Sequence, residues 1–295
     1  MPSEMLKVHT VRVYLSYLAE TGTIGNINLA SFTFDDYTVD NQAYSMSSAA
    51  TRRVCRCLTK LCYLVLVPDS SSFSPTLQSN GFQGLMGIGF DAESIVRSKV
   101  GNSGGDTPLS RIFQQNKTTQ NFVSLQLDRQ NDPTDTITGQ ITVSELISGY
   151  ESIASQPMLY IKDAFMDSSN QHWAVITDNN GVTGPDGSSI SVESIVPHVS
   201  GGQMVAILDS GFTFSQVPRK MSDAIYGRVQ GASYSTTDGI WYVPCAQYLN
   251  MSFAFGGVTF PIHPLDIVSN DIASSNGLCR GAVSALHLYA PLLCF

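Results

Sequence analysis

The sequence predicts an all-β protein, on three observations. Short runs rich in Val, Ile, Thr, Phe and Tyr recur between clusters of Gly, Asn, Asp and Ser. Helical periodicity is confined to two brief stretches, and no heptad, low-complexity tract or short-period repeat interrupts the pattern. Charge is scarce and made good by small polar residues, which suits a turn-rich exterior. In chain order the expected strands are HTVRVYLSYL, NFVSLQL, QITVSEL, HWAVIT, SISVESIV, MVAILDS, IWYVPC and MSFAFGGVTFPIH. The expected helices are PLSRIFQQN, with Leu, Ile and Phe on one face, and PRKMSDAIYGRV, whose proline suits a first turn. The stretch around residues 144–161 is the expected crossing between two halves. Glycines lie directly beside apolar runs in both halves, in GFQGLMGIGF and VAILDSGFTF, a faint sign of duplication.

Bulk properties narrow the function. The 295 residues suffice for one large domain or two lobes, and 43% hydrophobic content supports a sizeable core. Only 14% of residues are charged, with a net charge of −8 and 16 Lys+Arg, which argues against nucleic acid as a partner. No apolar run approaches the roughly 18 residues that a membrane helix needs. The opening MPSEMLKVHTVRVYLSYLAETG has no continuous apolar core, so no export signal is expected in this chain. Two sequons, Asn116-Lys117-Thr118 and Asn250-Met251-Ser252, mark candidate glycosylation sites and lean towards export. The motif GNSGGD at residues 101–106 lacks the lysine and strand-to-helix setting of a phosphate loop and reads as a flexible loop. No Gly-x-Ser-x-Gly elbow supports a serine hydrolase, and His172, beside Trp173, reads as a packing histidine at the start of a strand.

The six cysteines differ in character. Cys245 and Cys279 lie in polar, turn-rich surroundings and suit one structural disulfide, worth about 4 kcal/mol in the chain-entropy account. Cys55, Cys57 and Cys62 crowd into a basic segment, TRRVCRCLTKLC, with no histidine near enough to complete a metal site. Cys294 has no evident partner in sequence. No metal or organic cofactor is expected.

An apolar run that delivers a carboxylate to a small-residue turn holds an acid in a rigid setting, and VAILDSGFTF does this at Asp209-Ser210-Gly211. The stretch resembles the pepsin-like aspartic endopeptidases, whose hallmark is an apolar run followed by Asp-Thr/Ser-Gly. Further stretches agree in order: YLAETGTIGNINLASFTFDDYTVDNQAY is similar to the flap hairpin and the strands after it. GFQGLMGIGF is similar to the family's Phe-x-Gly-Leu-x-Gly-Leu-Gly segment, SDAIYGRV to the helix after the second acid loop, and Cys245 and Cys279 match that lobe's disulfide. Together they span most of residues 11 to 280.

The resemblance implies a bilobal pepsin-like fold with an incomplete first lobe. Residues 1–152 would be the remainder of the N-terminal lobe with its flap, and residues 153–295 the C-terminal lobe. It implies acid-pH hydrolysis of peptide bonds in an extended cleft, with Asp209 as one member of a catalytic dyad. Gly211, Phe212 and Thr213 would line the cleft, and Tyr17 would be the flap tyrosine, with Leu18 competing for that position. The partner is a protein or peptide substrate, the chain is expected to be a monomer, and the location secreted or vacuolar.

Two departures stand out. The sequence holds one Asp-Ser/Thr-Gly, at Asp209, and Asp69-Ser70-Ser71 lacks the glycine. Each lobe of the family also crosses its acid loop with a strand ending apolar-apolar-Gly. The first lobe keeps this as Leu85-Met86-Gly87, whereas RGAVSALHLYAPLLCF after Cys279 lacks an Ile-Leu-Gly. The simplest reading is a truncated or mis-assembled chain of a once-active design, so the expected alternatives are an inactive fragment or a non-catalytic binder on the same fold. A homodimer with one acid per subunit is disfavoured by length, because the two halves are unlike and each subunit of such enzymes is about one third as long.

Overall fold

The computed structural model describes residues 12–16, 22–51, 64–66, 84–115, 117–118, 120–129, 132–159, 173–194, 196, 199–210, 214–269, 276–285 and 292–294. Strands dominate and helices are few and short, as the sequence predicts. The chain divides into two compact units. One gathers residues 1–126, 140–147 and 168–172, the other residues 127–139, 148–167 and 173–295.

The first unit is built on five strands in sequential order: β1 (Arg12–Ser16), β2 (Gly22–Phe34), β3 (Tyr37–Thr51), β4 (Leu64–Leu66) and β5 (Gly84–Met86). A two-residue turn, Asp35-Asp36, joins β2 to β3, with Asp35 at φ 53°. Short polar side chains of this kind tolerate the left-handed region better than branched ones. β4 runs parallel to β3 and antiparallel to β5. The expected helix PLSRIFQQN forms as Pro108–Gln115 and buries Pro108, Leu109 and Ile112. Arg111 fixes it to β3 by donating to the carbonyls of Asn41 (2.7 Å) and Asp40 (2.8 Å). Leu109 and Ile112 share a core with Val39 and with Val143 of the β6–β7 hairpin (Val123–Gln126, Gln140–Val143).

GNSGGD is not a flexible loop. Residues Ser103–Gly105 form a 3-10 turn after the helix Ile95–Val100, and Gly105 and Asp106 are buried. The order comes from polar groups that satisfy one another. Asn102 accepts from the Gly104 N–H at 2.8 Å, Arg97 donates to Asp106 at 2.7 Å, and Gln42 donates to the Asp106 carbonyl at 3.0 Å. The depression of about 360 Å³ above this turn is lined by Asp91, Ser94, Arg97, Ser98, Asn102 and Asp106 among others. Its main charges are thus already paired.

In the second unit the strands are β8 (Ala174–Ile176), β9 (Val182–Thr183), β10 (Val205–Ile207), β11 (Gln216–Val217), β12 (Ser233–Ser235) and β13 (Ile240–Pro244). They continue with β14 (Met251–Phe255), β15 (Val258–Ile262), β16 (Val268–Ser269), β17 (Leu278–Gly281), β18 (Ser284–Ala285) and β19 (Leu292–Cys294). Three sheets result, ordered β18-β11-β19-β10-β8, β12-β13-β17-β16 and β15-β14-β9. The run MSFAFGGVTFPIH folds as the β14–β15 hairpin around Gly256 (φ 59°) and Gly257 (φ 81°). Positive φ at both turn residues suits glycine and matches the twist of the strands. The carboxylate of Asp178 locks this turn by accepting from both glycine N–H groups, at 2.8 and 2.7 Å.

SISVESIV differs from expectation. Ile190 and Val192 are buried with the predicted alternation, yet Ser189 makes only an isolated bridge to Thr183, and residues 190–194 join no sheet. Their backbone bonds go to separate partners: the Ile190 N–H donates to Val182, and Val192 accepts from Gly202. An alternating pattern reports burial of every second side chain, which an extended but unpaired segment also achieves.

The helix PRKMSDAIYGRV forms as Arg219–Tyr226, with Pro218 at its N-cap rather than inside the first turn. It buries Met221, Ile225 and Tyr226 in a core shared with Val217, Val243, Phe253 and Ile267. Fully buried Tyr226 keeps its hydroxyl satisfied, donating to the Ile267 carbonyl (2.7 Å) and accepting from the Val283 N–H (2.9 Å). Burial pushes this phenol above its ordinary range, against the Val283 donor and the charge of Arg280.

Also in this unit, the segment 127–139 is strapped to the helix Pro264–Ile267 through Arg129, whose guanidinium forks onto Asp266 at 2.9 to 3.2 Å. Asp132 accepts from the Thr134 hydroxyl (2.6 Å) and N–H (2.9 Å), and His263 stands 3.8 Å away. Those Thr134 donors, with lesser help from His263 and Arg129, hold the Asp132 carboxyl below its ordinary range.

Two outcomes are expected. A Cβ at Gly281 would sit 2.8 to 3.2 Å from the Tyr226 ring. Gly281→Ala should therefore cost roughly 1–3 kcal/mol by overpacking, read as a lower urea midpoint at unchanged slope. A carboxyl whose pKa is depressed in the folded state contributes stability above its unfolded value, about 3.9, and loses it as pH falls through the folded value. Asp132→Asn should flatten the acid limb of a stability–pH curve below about pH 4 and leave the neutral limb parallel to wild type.

Candidate functional site

Asp209 lies two residues beyond β10, and the placement follows from the local sequence. Val205, Ala206 and Ile207 are all buried, because β10 lies between two strands in its sheet and apolar side chains on both faces meet protein. On one side β10 pairs antiparallel with β8 (Val205↔Ile176, Ala206↔Val175, Ile207↔Ala174). The ladder extends past the strand at both ends. The Met204 N–H donates to the hydroxyl of buried Thr177 at 3.0 Å, and the Leu208 N–H donates to the Trp173 carbonyl at 2.7 Å. Backbone bonding thus continues to the residue before Asp209. Leu208 is 53% exposed, Asp209 half-buried, and Ser210 exposed in a turn.

On its other side β10 pairs parallel with β19: Val205↔Leu292, Ala206↔Leu293, Ile207↔Cys294. RGAVSALHLYAPLLCF lacks an Ile-Leu-Gly, yet its end supplies a strand beside β10. Leu292–Cys294 lies between β10 and β11. The pairing reads backbone groups, which any non-proline residue supplies, so a strict Ile-Leu-Gly search misses it.

Past the acid turn in sequence, the Phe214 ring lies 4.2 Å beneath the Arg280 guanidinium. Arg280 also donates to the Ser284 hydroxyl at 3.2 Å, and the Ser284 N–H donates to the Ser215 carbonyl at 2.8 Å. Sequence reading missed Arg280. Its signal was a lone cation in an apolar strand end, next to the disulfide cysteine Cys279.

The remaining candidates divide plainly. Cys245 and Cys279 form the disulfide, with Cα atoms 4.9 Å apart, and tie the turn after β13 to β17. Asn250 is exposed. Tyr17, Gly211, Phe212, Thr213 and Asn116 lie outside the described residues, as do Cys55, Cys57 and Cys62. The strand preceding Tyr17 is described, with Ser16 paired to Gly22. Among the described residues no group of three or more His, Cys, Asp or Glu side chains could hold a metal ion. No helix there is long and apolar enough to cross a membrane.

Comparison with known proteins agrees with this geometry. A family model described as "Eukaryotic aspartyl protease" matches residues 64–291. The chain is 22% identical over 224 residues to the "Probable aspartic-type endopeptidase CTSD" of Arthroderma benhamiae, covering 76% of this chain and 38% of that protein. It is 23% identical over 227 residues to the protein of the same name in Trichophyton verrucosum, with the same coverage. To the "Major aspartyl peptidase 1" of Cryptococcus neoformans var. grubii it is 24% identical over 126 residues, 41% of this chain and 24% of that one. The chain thus spans 38% of the length of the first two relatives.

The β10–β19 pairing has a direct test. Leu293→Pro removes a ladder donor from a strand with neighbours on both sides. Native-state hydrogen exchange should then lose protection at Val205 to Leu208 while the β14–β15 hairpin stays protected.

Proposed function

The chain belongs to the eukaryotic aspartyl protease family, and from that premise we propose that its chemistry is aspartic-type endopeptidase cleavage of protein or peptide substrates at acid pH. Asp209 is the proposed catalytic carboxylate. The observation that carries the reading is its position: a half-buried acid one residue past a backbone ladder, on a buried strand hydrogen-bonded on both sides. A carboxylate so held keeps its place when its charge changes.

The reaction needs two such acids, and aspartic proteases are the standard example of paired carboxylates that share one proton because both cannot ionise at about 3 Å. The ionised acid draws a proton from water as that water attacks the peptide carbonyl. The protonated acid donates to the carbonyl oxygen, and a proton then passes to the leaving nitrogen. Asp209 is assigned one of these roles. Gly211, Phe212 and Thr213 are proposed to line the substrate path beside it, and Tyr17 to close over substrate. The division into a remaining N-terminal lobe (residues 1–152) and a C-terminal lobe (residues 153–295) belongs to the same proposal. So does a secreted or vacuolar location for a monomer.

A second reading has its own support. The sequence contains one Asp-Ser/Thr-Gly, so this chain brings one recognisable acid loop. A non-catalytic binding protein on the same fold would need none, and the intact loop at Asp209 therefore favours the protease. Peptide hydrolysis measured between pH 3 and 6 separates the two. The protease reading expects cleavage that pepstatin blocks and that Asp209→Asn lowers by at least about a hundredfold, the lower range for a positioned acid–base group. A folded chain that binds peptide with no Asp209-dependent cleavage would establish the binder.

A further inference from the structure

We propose that Asn250 carries an N-linked glycan whose first sugar packs against the ring of Tyr248. The chain reaches β14 through Tyr248-Leu249-Asn250, and burial alternates with a period of two. Tyr248 is 78% exposed, Leu249 is 3% exposed, Asn250 is exposed and Met251 is 3% exposed. Ser252 is half-buried, and Phe253 is buried again. In extended backbone, alternate side chains share a face, with i and i+2 roughly 7 Å apart. Buried Leu249, Met251 and Phe253 belong to the core of the second unit, so they pin this segment and turn Tyr248, Asn250 and Ser252 outwards together. The acceptor amide, the hydroxyl the transferase requires and a large aromatic are therefore presented on one outer face.

The chemistry fits each member of the set. An Asn-x-Ser with x other than proline is the acceptor, and Met251 satisfies that condition. Nδ2 of Asn250 bonds to the anomeric carbon of an oligosaccharide as that carbon's bond to a lipid diphosphate breaks. One amide proton is lost, and the lipid diphosphate leaves. A tyrosine so exposed keeps a broad apolar ring in water, and the apolar face of the first sugar is a fitting cover. The nearby Cys245–Cys279 disulfide belongs to the same oxidising compartment where the transfer occurs. The inference rests on the secretory part of the proposed function and not on any catalytic role of Asp209.

The full chain, expressed in yeast behind a cleavable export leader, decides the matter. In an Asn116→Gln background, peptide N-glycosidase should remove the mass of one glycan, and Asn250→Gln or Ser252→Ala should each abolish that shift. Secreted Asn116→Gln chain without a glycan overturns the assignment. Trimming to the first sugar should leave Tm unchanged, whereas its complete removal should lower Tm by on the order of 2 °C. Tyr248→Ala should erase that difference, and equal Tm values in all wild-type forms overturn the packing on Tyr248. The state of Cys245–Cys279 in chain from its own cell reads the route separately. An oxidised but unglycosylated chain overturns the Asn250 assignment and leaves the route standing. A reduced chain overturns the route, while the leader experiment still decides Asn250.

Discussion

The parallel pairing of Val205–Ile207 with Leu292–Cys294 is the constraint on which the second unit depends. It puts β10 inside its sheet, so three consecutive residues can be apolar and buried while Leu208 is exposed and Asp209 half-buried. That abrupt change is what sets a carboxylate at the end of a rigid strand. β19 also reaches β11, so the two strands flanking the acid turn are held by a segment about 85 residues further along the chain. Such a contact costs loop entropy, which the apolar core must offset.

That core is stitched by polar groups. Tyr226, at the end of one helix, joins the end of the helix Pro264–Ile267 to the bend between β17 and β18 with one hydroxyl, which gives and accepts a hydrogen bond. Asp178 fixes a hairpin turn, Thr177 continues a ladder, and Cys245–Cys279 ties the turn after β13 to β17. At Tyr226, Asp178 and Thr177 a buried or half-buried polar group substitutes for a backbone partner, which suits a protein with few charges to spend on its surface. The Arg129 strap differs in kind, because it joins two charged groups, the guanidinium forked onto the Asp266 carboxylate.

Much of this was legible in order and type. Both expected helices formed, and seven of the eight expected runs contain strands because their β-branched and aromatic content matches a pleated surface. SISVESIV failed because period-two burial does not specify a neighbouring strand. GNSGGD failed in the opposite direction, since glycine and serine suggested looseness while Arg97 and Gln42 supplied order from outside the motif by donating to Asp106. Helix Ile95–Val100 passed unnoticed because six residues hold too little periodicity, although Ser94 and Gly101 are proper caps.

The sequence by itself determined the family, the acid turn at Asp209 and the cysteine pair, because each is a local pattern of residue types whose chemistry does not depend on distant neighbours. Tertiary structure alone decided that Leu292–Cys294 closes the sheet beside that acid, that Arg280 lies over Phe214, and that Tyr248 and Asn250 share an outer face. Backbone hydrogen bonds accept almost any side chain, and the direction of a side chain depends on what its neighbours bury. Neither can be read from the order of residues until the chain has folded back on itself.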